Sequence, residues 1–343
     1  MRIVLVGATG AVGSEILEIL ETRRFPIDEL VPVASERSAG RALQFDGSAV
    51  TVVALNTDVF EAGDLALFDV PDEVALEWAP LAVEAGATVV DNSAAWRMNE
   101  QVPLVVPEIN PDAVRDRPIG IVASPNCTTL AMVVPLAALH ARAGLTRLVV
   151  ASYQAASGAG RAGVDELWEQ TQRVAKDEDT VVAGRARDLL EPGSTFPQPL
   201  AMNVVPLAGS IKRDGYTSEE LKLCFETRKI LDLPDLPVTA TCVRVPVVTG
   251  HSVAVHAEFE RELSADEARE ILAEAPGVEL RDDPERGIVP TPLEAAGRDP
   301  CYVGRIRADL FNPRALELFC VADNLRKGAA LNTVQVAELI ASN

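Results

Sequence analysis

The stretch Ile3-Val4-Leu5-Val6-Gly7-Ala8-Thr9-Gly10-Ala11-Val12-Gly13 lies at the start of the chain and indicates the fold of the N-terminal domain. Four apolar residues predict a buried strand, and the three glycines after them let the backbone turn tightly before a helix begins. The N-terminus of such a helix offers unpaired N–H groups and a positive dipole, which suit a pyrophosphate. A purely structural turn is the alternative. The position at the first strand–helix turn favours dinucleotide binding by Gly7, Thr9, Gly10, Ala11, Val12 and Gly13.

Short apolar runs alternate with helical patterns over the first 126 residues. The predicted strands cover residues 3–6, 30–34, 65–68, 88–91 and 119–122, and helices are predicted at 14–23 and 74–85. Alternation of this kind is typical of a parallel, doubly wound sheet. We therefore predict an α/β, Rossmann-like dinucleotide-binding domain over residues 1–127.

The pattern changes after residue 127. A long apolar helix is predicted at 128–142, with Pro135 as the place for a kink. Further helices are predicted at 163–174 and 265–274, and strands at 148–153, 239–243, 252–259 and 304–308. This mixture predicts an α+β catalytic and dimerisation domain over residues 128–323. A last helix at 327–340 is expected to return, within residues 324–343, to the first domain.

Charge and cysteine content exclude several classes of function. The net charge is −20, from 31 basic and 51 acidic residues, and such a surface repels nucleic acid and anionic lipid. The five cysteines are scattered and form no CxxC pair, so we expect no disulfide framework and no metal site, in a reducing compartment. The first apolar run is too short for a signal peptide, and no stretch has the length of a membrane span. We expect a cytoplasmic protein with no membrane partner.

The end of the second predicted strand carries candidates for the ribose of a cofactor. An NAD-dependent enzyme usually has an acidic residue there, whereas a guanidinium pairs with the 2′-phosphate of NADP. Here Ser35, Arg37 and Ser38 suit that phosphate, while Glu36 leaves a ribose hydroxyl as the alternative. We predict NADP as the cofactor.

Cys127 differs from the other cysteines in its surroundings. It lies in Ser124-Pro125-Asn126-Cys127-Thr128-Thr129, between a predicted strand and a predicted helix. A thiol at a helix N-terminus can have its pKa lowered from about 8.5 to roughly 3.5–7.5, which makes a thiolate nucleophile available at neutral pH. The alternative is a small buried apolar residue, which suits Cys224, Cys242 and Cys320, whereas Cys301 is undecided.

The base that a cysteine nucleophile usually needs must come from three histidines. His140 is predicted on a helix surface, and His256 lies within an alternating strand. His251 follows Gly250 at the entry to that strand, and strand ends are where catalytic groups tend to lie. By elimination His251 is the best candidate.

Taken together, these segments resemble the aspartate-semialdehyde dehydrogenase family. The most specific matches are Pro-Asn-Cys-Thr-Thr around Cys127 and Arg-Val-Pro-(four residues)-His from Arg244 to His251. The matches extend over the whole chain: residues 7–13, 34–40, 91–93 with Arg97, 125–129, 152–160, 215–222, 244–251 and 327–330.

The resemblance implies a role for each matching position. Cys127 would be the nucleophile, His251 the acid/base, and Gln154 the residue that positions a thioester. The substrate and phosphate would contact Arg97, Asn126, Glu219, Lys222 and Arg244, with Arg244 and Glu219 at the amino-acid end. Ser157, Gly158 and Asn324 would lie along the nicotinamide half of the cofactor. From the residues alone, Glu219 and Lys222 suit an ordinary solvated helix start better.

The reaction that the resemblance implies is the NADP-dependent reductive dephosphorylation of 4-aspartyl phosphate to aspartate semialdehyde. It would proceed through a thioester on Cys127 and belong to lysine, methionine and threonine biosynthesis. The implied partners are aspartyl phosphate or the semialdehyde and phosphate, together with further copies of the chain in a homodimer or homotetramer.

Two departures from the family pattern and three competing functions accompany this hypothesis. The segment Phe68-Asp69-Val70-Pro71-Asp72-Glu73 replaces a glycine-rich turn beside the cofactor, and residues 203–210 also depart from the usual sequence.

The alternatives are an N-acetyl-glutamyl-phosphate reductase, a non-catalytic paralogue that acts as a binding protein, and an NAD-linked alcohol dehydrogenase. The first usually has glycine before its cysteine and an aromatic residue after it, where this chain has Asn126 and Thr128.

Overall fold

The computed structural model describes residues 1–342, which pack as two units. The first unit consists of Met1–Asn126, Arg228–Pro234 and the chain from Arg326 onward. The second consists of Cys127–Thr227 and Asp235–Leu325. Within residues 1–342 no helix is both long and apolar enough to cross a bilayer.

The first unit is built on a six-stranded parallel sheet with the strand order β5-β2-β1-β6-β7-β8. Its elements before residue 126 are, in chain order, β1 (Arg2–Val6), α1 (Ala11–Thr22), β2 (Glu29–Ala34), β3 (Ala42–Phe45), β4 (Ser48–Thr51), β5 (Val53–Ala54), β6 (Leu65–Phe68), α2 (Asp72–Glu84), β7 (Thr88–Asp91) and β8 (Ile121–Ala123). β3 and β4 form a separate antiparallel hairpin. The chain builds the sheet first on one side of β1 and then on the other, so the strand order reverses between β1 and β6. In open α/β sheets, ligands bind at such a reversal, beyond the carboxyl ends of the strands.

The second unit is built on a six-stranded mixed sheet with the strand order β10-β9-β11-β14-β13-β12. Its elements are, in chain order, α3 (Cys127–Ala143), β9 (Leu145–Gln154), α4 (Gly160–Val174), α5 (Glu178–Val182), α6 (Ser218–Ile230), β10 (Val238–Arg244), β11 (His251–Phe259), α7 (Ala265–Ala273), β12 (Val278–Leu280), α8 (Pro292–Ala295), β13 (Cys301–Ala308) and β14 (Ala315–Ala322). β9 runs parallel to β10 and antiparallel to β11, whereas β14 is antiparallel to both β11 and β13.

The chain returns to the first unit through a π-helical turn, Arg326–Ala330, followed by α9 (Leu331–Ala341). Lys327 is 1% exposed, and its ammonium donates hydrogen bonds to both carboxylate oxygens of Glu108, at 2.8 and 2.7 Å, and to Gln335 at 2.8 Å. Val334, Val336 and Ala337 are buried in the apolar core that α1 and the sheet share. Removing one partner of a buried ion pair costs about 3–5 kcal/mol, so this pair fixes the position of the returning segment.

These observations confirm the predicted fold class, a doubly wound parallel sheet plus an α+β unit. The sequence patterns missed five strands, β3, β4, β5, β12 and β14. The last predicted helix begins as a π turn, and α3 continues through Pro135 to Ala143. The assignment of residues 1–127 to cofactor binding and of 128–323 to catalysis and dimerisation stays a prediction.

Candidate active site

Three polar side chains of the second unit lie close together, at the same end of three neighbouring strands of its sheet. Gln154 is the last residue of β9, Arg244 is the last of β10 and pairs with it in register, and His251 is the first of β11. Because β11 runs antiparallel to β9, its first residue lies beside the last residues of the other two strands. The connection between Arg244 and His251 bends at Gly250, whose φ of 99° is in the left-handed region that favours glycine.

Gly158 shows how closely Arg244 and His251 approach each other. A Cβ atom added at Gly158 would lie 2.8 Å from Nη1 of Arg244 and 3.0 Å from Nε2 of His251. Arg244 is 8% exposed, its Nη1 donates to the carbonyl of Ala155 at 2.8 Å, and its guanidinium lies 5.8 Å from the ring centre of Phe196. Burial lowers the pKa of Arg244, while Glu219 and Cys127 oppose that effect. An arginine remains charged in proteins, so the site holds one buried cation.

Cys127 is the first residue of α3, a helix of 17 residues, and it is half-buried. The other four cysteines are buried. Burial raises the pKa of Cys242 to about 12 and that of Cys320 well above its ordinary value, so both stay protonated and unreactive. Cys301 is buried too, which resolves the residue that the sequence left undecided. Cys127 is therefore the cysteine with access, at the positive end of a helix dipole.

Gln154 connects the start of α3 with the start of α6. Its Nε2 donates to Oγ1 of Thr128 and, at 3.1 Å, to Oε2 of Glu219. The other oxygen of Glu219 accepts from Nζ of Lys222 at 2.8 Å. The side chain of Glu219 is 14% exposed, so this end of α6 faces the protein interior. The solvated helix face that the residues alone favoured is thus wrong for Glu219.

His251 has 0% exposure, and its Nδ1 accepts a hydrogen bond from the amide of Ala155 at 3.0 Å. Burial, followed by the charge of Arg244, lowers the pKa of His251 to about 3, and Glu219 only partly offsets this. The other two histidines have structural partners. His140 accepts from the amide of Leu145, and His256 pairs with Glu317.

His256, Glu317 and Asp309 are also the one group within residues 1–342 whose atoms could hold a metal ion, and they lie within 4.8 Å of one another. The hydrogen bond between His256 and Glu317 accounts for the proximity of those two side chains without an ion.

Asn324 ties two segments of the site together. Its Nδ2 donates to Oγ of Ser157 at 2.9 Å, and its Oδ1 accepts from the amide of Gly250 at 2.8 Å. The amide of Ser157 donates to the carbonyl of Val248 at 3.0 Å. The backbone beside His251 and the segment that contains Gly158 are therefore held as one structure.

The predicted cofactor residues of the first unit surround the end of β1. The amide of Gly7 donates to the carbonyl of Val33 in β2, at 2.9 Å, so the glycine turn lies beside the segment that follows β2. Gly10 and Ala11 are exposed, and the first turn of α1 contains no acidic residue. Arg37 is exposed, and Ser38 is buried with its amide donating to the carbonyl of Ser35 at 2.8 Å. This donor set suits an anionic dinucleotide.

Asp69 occupies the turn that departs from the family pattern. It follows β6, its Oδ1 accepts from Nδ2 of Asn92 at 3.0 Å, and its Oδ2 would lie 3.7 Å from a Cβ atom added at Gly10. Burial raises the pKa of Asp69, an effect that the hydrogen bond from Asn92 opposes. A carboxyl group therefore lies beside the glycine turn, where the strand order reverses.

The predicted phosphate residues are divided between the two units. Arg97 and Asn126 are buried in the first unit, where Nη2 of Arg97 donates to the carbonyl of Asn92 at 2.8 Å. Lys222 belongs to the second unit. Near Arg97, burial raises the pKa of Asp91 to about 6, against hydrogen bonds from Ser93 and the charge of Arg97.

Two contributors to the site were not predicted as site residues from the sequence. Ala155 acts through its main chain, which hydrogen-bonds both His251 and Arg244, and no side-chain pattern reveals a main-chain role. Thr128 accepts from Gln154. Its place directly after Cys127 was the one available hint.

Comparison with known proteins extends these observations. Residues 2–117 match the family model of the semialdehyde dehydrogenase NAD-binding domain, and residues 136–327 match that of the semialdehyde dehydrogenase dimerisation domain. The cofactor of this chain is therefore a nicotinamide dinucleotide. The second match indicates that copies of the chain associate through a dimerisation domain.

The chain is similar over its full length to curated and structurally determined proteins. It is 52% identical to an aspartate-semialdehyde dehydrogenase of Streptomyces akiyoshiensis, covering 100% of this chain and 99% of that protein. It is 47% identical to the enzyme of that name from Aquifex aeolicus, covering 99% and 97%. The crystal structure of aspartate semialdehyde dehydrogenase II from Vibrio cholerae, complexed with ASA, superimposes with a TM-score of 0.92 at 39% identity, covering 100% and 98%. The chain belongs to the aspartate-semialdehyde dehydrogenase family.

Proposed function

We propose that the chain catalyses the NADP-dependent reductive dephosphorylation of 4-aspartyl phosphate to aspartate semialdehyde, through a thioester on Cys127. The observation that carries the proposal is the arrangement of the second unit. An accessible cysteine starts α3, and Gln154, Arg244 and His251 meet at one edge of the sheet. The full-length similarity to aspartate-semialdehyde dehydrogenases supports the same reaction.

Cys127 is the proposed nucleophile, because the N-terminus of α3 and the nearby charge of Arg244 both favour a thiolate. The thiolate attacks the acyl carbon, and the phosphate leaves. Main-chain N–H groups at the start of α3 are the donors available to the oxyanion, and one such donor contributes about 3 kcal/mol. His251 is proposed as the acid/base of the reaction. Gln154, fixed by Thr128 and Glu219, positions the thioester.

Arg244 is the proposed partner of the substrate carboxylate, since a guanidinium offers two parallel N–H groups to it. Glu219 would receive the substrate ammonium. Arg97, Asn126 and Lys222 are proposed to hold the phosphate. Two of them are cations, which a chain of net charge −20 needs locally in order to bind an anion.

The residues of the first unit fit a dinucleotide, because an open helix N-terminus follows a glycine turn. NADP is the proposed form, with the 2′-phosphate on Ser35, Arg37 and Ser38. Ser157, Gly158 and Asn324 are proposed to line the nicotinamide half. When bound, the reduced cofactor would supply the hydride that the thioester carbon accepts.

We also propose a homodimer or homotetramer in the cytoplasm, acting in lysine, methionine and threonine biosynthesis. The dimerisation-domain match supports association. The cytoplasm is a reducing compartment, which would keep the half-buried Cys127 as a thiol.

The test is an assay of NADP reduction with aspartate semialdehyde and phosphate, repeated with NAD. We expect turnover that depends on phosphate and prefers NADP. Replacing Arg37 with Ala should lower that preference by roughly ten- to a hundredfold, the worth of a hydrogen-bonded charge of about 1.5–3 kcal/mol. Arg41→Ala, which also removes an exposed arginine, is the control. Equal use of NAD by the unaltered protein would point to Glu36 and contradict the choice of NADP.

A further inference from the structure

Lys229, in the last turn of α6, holds a loop of the first unit with a single atom. Its Nζ donates hydrogen bonds to the main-chain carbonyls of Arg97 at 2.7 Å, of Asn99 at 2.8 Å and of Val102 at 2.8 Å. α6 starts in the second unit, but its residues from Arg228 onward belong to the first unit, as does the loop. An ammonium has three N–H donors, which match the three carbonyls in number. These donors are therefore directed at the protein and not at a substrate.

The loop that Lys229 contacts has no regular secondary structure. Residues 92–103 follow β7 and form turns and bends, so their carbonyls have no ladder of hydrogen bonds to accept. The amide of Asn99 donates to the carbonyl of Trp96 at 3.0 Å, and the amide of Val102 donates to the carbonyl of Asn99 at 3.2 Å. Val102 is 1% exposed, so its carbonyl has little access to water and needs a donor from the protein. Lys229 supplies that donor.

The same loop carries Arg97, one of the two cations proposed to bind phosphate. Arg97 is 6% exposed, and its Nη2 donates to the carbonyl of Asn92 at 2.8 Å. Its own carbonyl accepts from Lys229. The residue is thus held through its side chain and through its main chain. Because the side chain starts from a Cα atom of the loop, any shift of the loop would also move the guanidinium.

We propose that Lys229 is a positioning residue for the phosphate site, and that it acts by holding the loop so that the guanidinium of Arg97 meets the phosphate. The inference rests on the proposed function, in which Arg97 binds phosphate. Lys229 itself touches neither the phosphate nor the reacting atoms. A displacement of about 1 Å can lower a rate by about a hundredfold, so a residue that only fixes the loop can have a large effect.

The loss of Lys229 should affect phosphate more than aspartate semialdehyde. Lys229→Met keeps most of the length of the side chain and removes the charge and the donors. The carbonyls then lose their partner, and the loop is expected to move so that water can reach them. The amino-acid end of the substrate is proposed to contact Arg244 and Glu219, which belong to the second unit and lie outside this loop.

Steady-state kinetics of semialdehyde oxidation tests the proposal, with phosphate and the semialdehyde varied separately. Lys229→Met is expected to raise the KM for phosphate by roughly ten- to a hundredfold and to change the KM for the semialdehyde by no more than about twofold. Lys176→Met makes the same chemical change at an exposed lysine after α4 and is the control, which should leave both constants unchanged. An unchanged KM for phosphate in Lys229→Met, or an equal rise in both constants, would overturn the proposal.

A double substitution separates the positioning of Arg97 from a general loss of structure. The fold-changes of independent substitutions multiply, whereas those of residues that act through one another do not. In an Arg97→Gln background, Lys229→Met should therefore raise the KM for phosphate by no more than about a further twofold. A further rise of about tenfold or more would mean that Lys229 does not act through Arg97, and the proposal would be wrong.

Two more variants complete the test. If Lys229→Met does not fold, as judged by circular dichroism, Lys229→Gln takes its place, because an amide retains two N–H donors. A rise in the KM for phosphate alone is again expected. Arg97→Gln by itself separates the inference from the proposed function. If it leaves the KM for phosphate unchanged, the proposed phosphate site is rejected and the inference with it. A large rise in Arg97→Gln, with none in the variants of Lys229, would reject the inference alone.

Discussion

Arg244 is held by the protein before any substrate arrives. One nitrogen donates to the carbonyl of Ala155, the side chain is buried, and Phe196 lies beneath the guanidinium. A planar group fixed in this way can present its remaining N–H groups to a carboxylate with little loss of side-chain entropy. The backbone of Arg244 is fixed as well, because it pairs with Val205 within the segment that departs from the family pattern.

Arg244→Lys should therefore raise the KM for aspartate semialdehyde and leave the KM for phosphate nearly unchanged. Loss of a buried charge partner costs roughly 2–5 kcal/mol, which is about thirty- to several-thousandfold in affinity. Steady-state kinetics with each substrate varied measures both constants, and alkylation of Cys127 checks that the site is intact. A rise in the KM for phosphate instead would place Arg244 in the phosphate site.

Asp69 is a second residue whose effect can be isolated. Its Oδ2 faces the glycine turn, where a bound pyrophosphate would be repelled by a carboxylate. Asp69→Asn keeps the shape and removes the charge, so we expect binding of the dinucleotide to tighten roughly five- to tenfold, the equivalent of about 1 kcal/mol. The gain should shrink as pH falls, because burial raises the pKa of Asp69 and favours its neutral form.

Calorimetric titration with NADP, without the other substrates, measures this effect. Glu73→Gln makes the same charge change at an exposed position of α2 and is the control. Weaker binding by Asp69→Asn would mean that the carboxylate accepts a hydrogen bond from the cofactor.

At the scale of elements, the connection between β10 and β11 brings Arg244 and His251 into one site. Gly250 has a φ of 99°, and an added Cβ atom would lie 2.9 Å from Cβ of Pro292. Gly287 has a φ of 74° with nothing within 4 Å of an added Cβ atom. Alanine at either glycine must adopt a left-handed backbone, at a cost of about 1–2 kcal/mol. Only alanine at Gly250 also meets a steric clash.

Gly250→Ala should consequently lose more stability than Gly287→Ala, and it alone should lower kcat. Urea unfolding gives the free energies of unfolding, and kinetics of the folded variants gives kcat. The interpretation fails if the two variants lose stability equally and both retain normal kcat.

Element prediction succeeded where one physical signal dominated. The strands of the parallel sheet have a buried apolar run, because both faces of such a sheet are covered, and β1, β6 and β7 were found from that signal. β5 and β12 have two and three residues, which is too short for a period to appear. β14 was missed although seven of its eight residues are apolar, and its place between β11 and β13 follows from long-range pairing.

The site was less predictable than the fold, for a physical reason. Cys127 could be singled out because its local sequence is polar and turn-like. That His251 lies near Arg244 depends on the register of β9, β10 and β11, which pairs residues 90 to 114 positions apart. The side chain of Glu219 is oriented inward by its hydrogen bond with Gln154. The periodic pattern of the helix sequence does not predict this orientation.

At the scale of the whole molecule, two buried groups give opposite dependences of stability on pH. The pKa of His251 is lowered to about 3 in the native state. Below about pH 6.5 the unfolded chain therefore binds a proton at this residue that the native state does not bind, and the free energy of unfolding falls as pH drops. Asp91 has its pKa raised to about 6, so its contribution is fully present below about pH 4 and is lost as pH rises through 6. The two trends partly cancel between these limits.

His251→Asn removes one of the two trends. The difference in free energy of unfolding between the unaltered protein and this variant should shrink by up to about 1.4 kcal/mol per pH unit as pH falls from about 6.5. Urea unfolding at several pH values, followed by circular dichroism, measures it. A difference that is independent of pH would show that His251 binds a proton in the native state as readily as in the unfolded chain, and would contradict the lowered pKa.

Formation of the thioester tests the central claim most directly. The protein is mixed with 4-aspartyl phosphate in the absence of reduced cofactor, and intact mass and peptide mapping are then measured. The account predicts one aspartyl group on Cys127, its loss on addition of NADPH with release of the semialdehyde, and no adduct on Cys127→Ala. An aldehyde formed by Cys127→Ala, or an adduct on another residue that NADPH discharges, would contradict it.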